Sequence, residues 1–72
     1  MNNLNVAKIK LNGDPYEIKD GTNLNELLIK LKIEKNKVAI EVNGEIIHKD
    51  KYPNFLLNKD DKVEIVHFIG GG

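Results

Sequence analysis

At 72 residues the chain has room for one small domain, and a fold of this size buries only about 60% of its unfolded surface. With 40% hydrophobic and 31% charged residues it reads as globular rather than disordered. Eleven basic and eleven acidic residues cancel without forming a block of one sign, so neither nucleic acid nor an anionic membrane is an expected partner. The absence of cysteine excludes disulfides, thiolate zinc sites, Cys-ligated iron–sulfur clusters and a cysteine nucleophile. No apolar run approaches the roughly 20 residues of a membrane span, and no signal-peptide core follows Met1, so a soluble cytoplasmic domain is expected. So small a domain has little room for a deep active site, which points to a partner that supplies the chemistry.

Residues 6–11, VAKIKL, alternate: Ile9 and Leu11 face one way, Lys8 and Lys10 the other, as in a strand with one wet face. Asn12 to Pro15 (NGDP) is a turn by residue chemistry, and Tyr16 and Ile18 then alternate with Glu17 and Lys19. This is a β-hairpin. The stretch 20–32, DGTNLNELLIKLK, predicts a helix with Thr22 as N-cap and, with Asn25 at the third helical position, only a partial capping box. Leu24, Leu27, Leu28 and Leu31 repeat at helical spacing on one face, which must pack on a sheet. Glu26 and Lys30 form an i, i+4 pair in the favourable order.

Residues 38–42, VAIEV, read as a central strand, followed by Asn43-Gly44, a strong hairpin signal, and by EII. Tyr52, Pro53, Phe55 and Leu57 belong to an irregular connection whose apolar residues close one end of the core. Asn58 to Asp61 (NKDD) turns into the last strand, KVEIVHF, with Val63 and Ile65 on the helix side. One amphipathic helix lies across a mixed sheet, with the first and last strands parallel neighbours at its centre. The fold class is α+β with a β-grasp (ubiquitin-like) architecture. The predicted core joins the leucine face to Ile9, Val38, Ile40, Val42, Val63 and Ile65.

Glu64, Val66 and Phe68 then point to the face without a helix. Val66 and Phe68, with Ile69 after them, read as a partner-docking patch, with scattered surface apolars as the plainer alternative. His48 and His67 are too isolated for a dyad or a metal site, even with Asp50 near His48. Asp60-Asp61 reads as turn chemistry rather than a catalytic carboxylate pair. Lysines 30, 32, 35 and 37 suit a solvated helix end.

The chain closes on Phe68, Ile69, Gly70, Gly71 and Gly72. Glycine is costly to order and offers a core nothing to bury; a frayed end is the plain reading. Yet VAIEVNGEII in the middle and KVEIVHFIGGG at the end, on a β-grasp order of this length, resemble the ThiS family of sulfur carriers in thiamine biosynthesis. The similarity runs from Ile9 to Gly72. Departures are HKDKY (48–52), which lacks a frequent Pro-Arg, Asp60 where many members have glycine, and the extra Asn2 and Asn3. None touches the reactive end.

The resemblance implies one β-grasp domain over residues 1–72 with a flexible tail at 69–72. An E1-like, ThiF-type adenylyltransferase uses ATP to adenylate the Gly72 carboxylate, and the adenylate becomes a thiocarboxylate. The sulfur comes from a donor such as a cysteine desulfurase and passes to a ThiG-type thiazole synthase. Gly70 and Gly71, lacking Cβ atoms, would thread the tail through a narrow channel. No permanently bound cofactor and no catalysis by the chain itself are expected. A molybdopterin-synthase small-subunit-like carrier, a ubiquitin-like protein modifier and a plain interaction module are the alternatives.

Overall fold

The computed structural model describes residues 5–69. Five strands and one α-helix follow in the order β1 (Val6–Leu11), β2 (Asp14–Lys19), α1 (Leu24–Leu31), β3 (Val38–Val42), β4 (Glu45–Ile47) and β5 (Lys62–His67). The strands form a single sheet in the order β2-β1-β5-β3-β4. β1 and β5 are parallel neighbours at the centre and the other pairs are antiparallel, so the expected β-grasp topology is borne out.

Both hairpins turn on Asn-Gly. Asn12 and Gly13 have φ of 50° and 89°, and Asn43 and Gly44 have 54° and 87°. Positive φ at both central residues is what a two-residue hairpin turn of the right twist demands. The first turn is therefore shorter than NGDP: Asp14 and Pro15 already belong to β2, with Leu11 opposite Asp14 and Lys10 opposite Pro15. Leu11–Asp14 closes the turn as a hydrogen-bonded pair, so Pro15 falls in a rung that needs no N–H from it.

Helix α1 starts one residue later than the sequence suggested. Thr22 keeps extended-strand duties: its C=O accepts from the Leu57 N–H, and its hydroxyl donates back to the Lys19 C=O at 2.6 Å. Asn23 is the N-cap instead, accepting from the Glu26 N–H at 2.8 Å, while the Glu26 carboxylate accepts from the Asn23 N–H at 3.0 Å. That complete capping box takes Glu26 away from Lys30, and the expected ion pair is not made. Lys30 lies 5.1 Å from the centre of the Tyr16 ring, a cation–π contact, with its Nζ donating to the Glu17 C=O at 3.4 Å. Lys32 ends the helix in the left-handed region.

The leucine face packs as expected, with Leu24, Leu27 and Leu28 buried against Ile9, Val38, Ile40, Val42, Val63 and Ile65; Leu31 is half-buried at the margin. The connection after β4 is a short 3-10 helix over Lys49–Asn54 rather than irregular chain. Tyr52 and Leu57 from this region are buried, Phe55 is half-buried, and Pro53 is left exposed.

Burial pushes the Tyr52 phenol above its ordinary value of 10.0, against a smaller opposing effect of its hydrogen bond with the Ile40 backbone. The folded protein then keeps a proton that the unfolded chain has released. This group's contribution is complete below about pH 10 and is lost as pH rises through the higher folded value. The melting temperature of the wild type is expected to fall more steeply above pH 10 than that of Tyr52→Phe, and equal slopes would contradict this account.

Candidate functional site

β5 is the strand that carries the chain towards its end, and its side chains divide between two environments. Val63 and Ile65 are buried under α1, whereas Glu64 and Val66 lie on the open face. Directly opposite residues of a sheet share a face. Glu41 pairs with both Ile46 and Glu64, and Ala39 pairs with Val66, so Ile46, Glu41, Ala39, Glu64 and Val66 all look outward. Phe68 continues the series two residues on.

Near the start of β5 this face is charged, with Lys10 opposite Lys62, then Glu41 and Glu64 in the next row. Towards the end of the strand it becomes apolar. Val66 is 55% exposed, Phe68 62% and Ile69 95%. The three residues proposed for docking are thus brought together as one exposed run. Ile46, at 65% exposure on β4, is a further apolar side chain on the open face that sequence reasoning passed over; it lies beside Glu41, in the charged row. Its signal was the alternation of EII, in which Ile46 and Ile47 cannot both face the core.

The base of β5 is tied by side chains of both turns. Asn43 Oδ1 accepts from the Lys62 N–H at 2.9 Å and Asn43 Nδ2 donates to Asp61 Oδ1 at 3.0 Å. Asp61 Oδ2 accepts from the Asn58 N–H at 2.8 Å. The acidic pair does turn work. Asp60 has a φ of 71°, the left-handed region that glycine takes at no cost, which explains why glycine suits this place in the pattern the chain departs from. His48 and His67 are both exposed and lie apart, on the entry to the 3-10 helix and on β5.

At its far end β5 is held by one more bond, from the Phe68 N–H to the Lys37 C=O at 2.9 Å. Ile69 follows without a hydrogen-bonded partner among the described residues. Gly70, Gly71 and Gly72, the residues assigned to threading and to the reactive carboxylate, lie outside the described residues. What the structure presents is a rigid central strand, anchored on both sides at its base, that delivers the chain past an apolar patch.

A family model described as the ThiS family matches residues 9–72. The sulfur carrier protein ThiS of Bacillus subtilis is 40% identical over 65 residues, which cover 89% of this chain and 98% of that protein. A thiazole synthase of Magnetococcus marinus is 45% identical over 65 residues, covering 90% of this chain but only 20% of its own, so the chain spans about a fifth of that relative. The crystal structure of the thiamine biosynthesis protein ThiS from Geobacter metallireducens superposes with a TM-score of 0.79 at 31% identity, covering 90% of this chain and 99% of the other. A family match from β1 to Gly72, joined to the β-grasp sheet with its last strand at the centre, means that the chain belongs to the ThiS family.

Proposed function

We propose that this protein is a sulfur carrier for thiamine biosynthesis, a protein cosubstrate rather than an enzyme, and that the working group is the carboxylate of Gly72. The observation that carries the reading is the near end-to-end match to the Bacillus sulfur carrier, on a fold whose central strand is followed in sequence by Phe68, Ile69 and three glycines.

A carboxylate is a poor electrophile, because its charge repels nucleophiles and oxide is a hopeless leaving group. Attack of the Gly72 carboxylate on the α-phosphorus of ATP, with loss of pyrophosphate, makes a mixed anhydride with AMP. Hydrosulfide adding to the carbonyl carbon expels AMP and gives the thiocarboxylate directly. A donor persulfide expels AMP to give an acyl disulfide, which a thiol outside this cysteine-free chain then cleaves, leaving the thiocarboxylate and a disulfide. With an ordinary pKa near 3.5, the α-carboxyl is ionised at neutral pH and ready for the first step. ATP belongs to the activating partner, an E1-like enzyme of the ThiF type, and the donor is one such as a cysteine desulfurase. The acceptor is a thiazole synthase of the ThiG type, a reading supported by the thiazole synthases that contain a similar unit. No cysteine in the chain competes for the transferred sulfur.

The test is mass spectrometry of the carrier after incubation with a cognate adenylyltransferase, ATP and a sulfur source. A sulfur-for-oxygen mass increase at Gly72 is expected. Conjugates to lysine, or a terminus left unmodified by active enzyme, would overturn the reading.

Phe68 gives a second check. Its ring is exposed beside the tail and outside the core. Phe68→Ala is expected to leave the melting temperature within roughly 4 °C of wild type, the shift that about 0.5 kcal/mol makes in a domain of this size. It should raise the KM for the carrier roughly tenfold, the effect of losing an aromatic interface anchor. Unchanged activation kinetics would make Phe68 an ordinary surface residue.

A further inference from the structure

β5 is paired along its whole length on one side only. Towards β3 the register runs from Val63 opposite Val42 to His67 opposite Val38, and Phe68 extends it to Lys37. In an antiparallel pair the hydrogen-bonded rungs alternate. Because Phe68 bonds to Lys37, the main-chain groups of Glu64, Val66 and Phe68 point to β3. Those of Val63, Ile65 and His67 point the other way.

On that other side β1 supplies a partner only as far as Leu11, opposite Val63. Asn12 then adds two bonds: its N–H donates to the Val63 C=O at 2.9 Å, and its Oδ1 accepts from the Ile65 N–H at 2.8 Å. Past Asn12 the chain turns away into β2. Among the described residues, the Ile65 C=O and both main-chain groups of His67 find no partner. Asn12 marks the boundary of an open row.

The outer edges of the sheet are protected in ways this row is not. β2 carries Pro15, Glu17 and Lys19, and β4 is only three residues long. Short edges, proline and charge are the usual defences against unwanted strand pairing. From Ile65 to Ile69 there is neither a Lys, Arg, Asp or Glu nor a proline. Val66 and Phe68 are exposed along the same stretch.

We propose that the row beyond Asn12 is a strand-addition site, and that an extended segment of the thiazole synthase receiving the sulfur pairs there with Ile65–Phe68 of β5. The proposal rests on the sulfur-carrier reading above. Acceptor, donor and acceptor stand in line at strand spacing, an array that another main chain matches rung for rung. The choice of partner follows from the thiazole synthases in which a similar unit is part of the same chain as the rest of the protein; such linkage suits two surfaces that must meet repeatedly. Side chains of the added segment that come beside Val66 and Phe68 are apolar. Strand pairing at this point also holds β5 straight up to the residue before the tail.

The experiment is amide hydrogen exchange on the full-length carrier, alone and with the thiazole synthase of the same organism. The His67 N–H is expected to exchange freely in the carrier alone and to slow at least tenfold in the complex. His67→Pro removes that donor without touching a bond to β3, and is expected to weaken binding roughly tenfold, whereas His67→Ala binds as wild type. If His67→Pro perturbs the fold, exchange in the wild type decides. A complex in which His67 exchanges as fast as in the free carrier overturns the proposal. Protection of His67 in the carrier alone, with a dimer in sedimentation, overturns it in favour of a second copy. Mass analysis of Gly72 separates the two readings: a thiocarboxylate without His67 protection sinks strand addition alone, and failure to form either thiocarboxylate or complex sinks both.

Discussion

A carrier lengthened by a single alanine after Gly72 is expected to melt with the wild type and to lose adenylation by on the order of 100-fold, the cost of misplacing a reacting group by about 1 Å or more. On the proposed reading, the extra residue would move the carboxyl carbon past the site where the activating partner holds ATP. Gly71→Ala keeps the length but introduces a Cβ where the channel should be narrowest, and it narrows the range of φ that the channel can impose. Both changes are expected to spare the fold, because among the described residues the buried core ends at Ile65. Pyrophosphate release with the cognate adenylyltransferase is the readout, with mass spectrometry for the thiocarboxylate. Normal turnover of the lengthened chain would mean that the terminal carboxylate is not the working group.

The second large effect is on stability. Leu28→Ala is expected to cost roughly 2–5 kcal/mol, the range for truncating a buried leucine. A domain of this length has about 4–11 kcal/mol in total at typical values per residue. Helix α1 has only eight residues, too few to be stable without packing, so the loss falls on the element least able to absorb it. Ile29, its neighbour on the same helix, is 75% exposed; Ile29→Ala should stay within about 0.5 kcal/mol of wild type. Denaturant midpoints of the two variants make the comparison, and similar shifts for both would mean that the helix does not pack by its leucine face.

These contrasts also mark what the sequence could and could not disclose. The leucine face, the two Asn-Gly turns and the alternation of VAIEV and KVEIV are local patterns, and local patterns sufficed for the sheet, the helix and the core. The N-cap was misread by one residue because Thr22 is claimed by Leu57, a partner no local rule points to. Glu26 left Lys30 for the same reason, once the cap moved to Asn23. At the site, Val66 and Phe68 were readable from strand alternation. The open row of β5 was not, since it depends on where β1 stops relative to β5, a property of register between distant segments. Ile46 joined the open face through its pairing with Glu41, again a matter of register.

The bond from Phe68 to Lys37 also works as a depth gauge. Beyond it remain residues 69–72, and four residues fully stretched span at most roughly 14 Å. If the Gly72 carboxylate is the working group, as proposed, an enzyme acting on it would have to keep its reacting atoms within that distance of the rim where it meets Phe68. On the proposed reading, a deeper centre would be reached only by peeling Phe68 away from Lys37, so this last rung would set how far below a partner's surface the chemistry can be done.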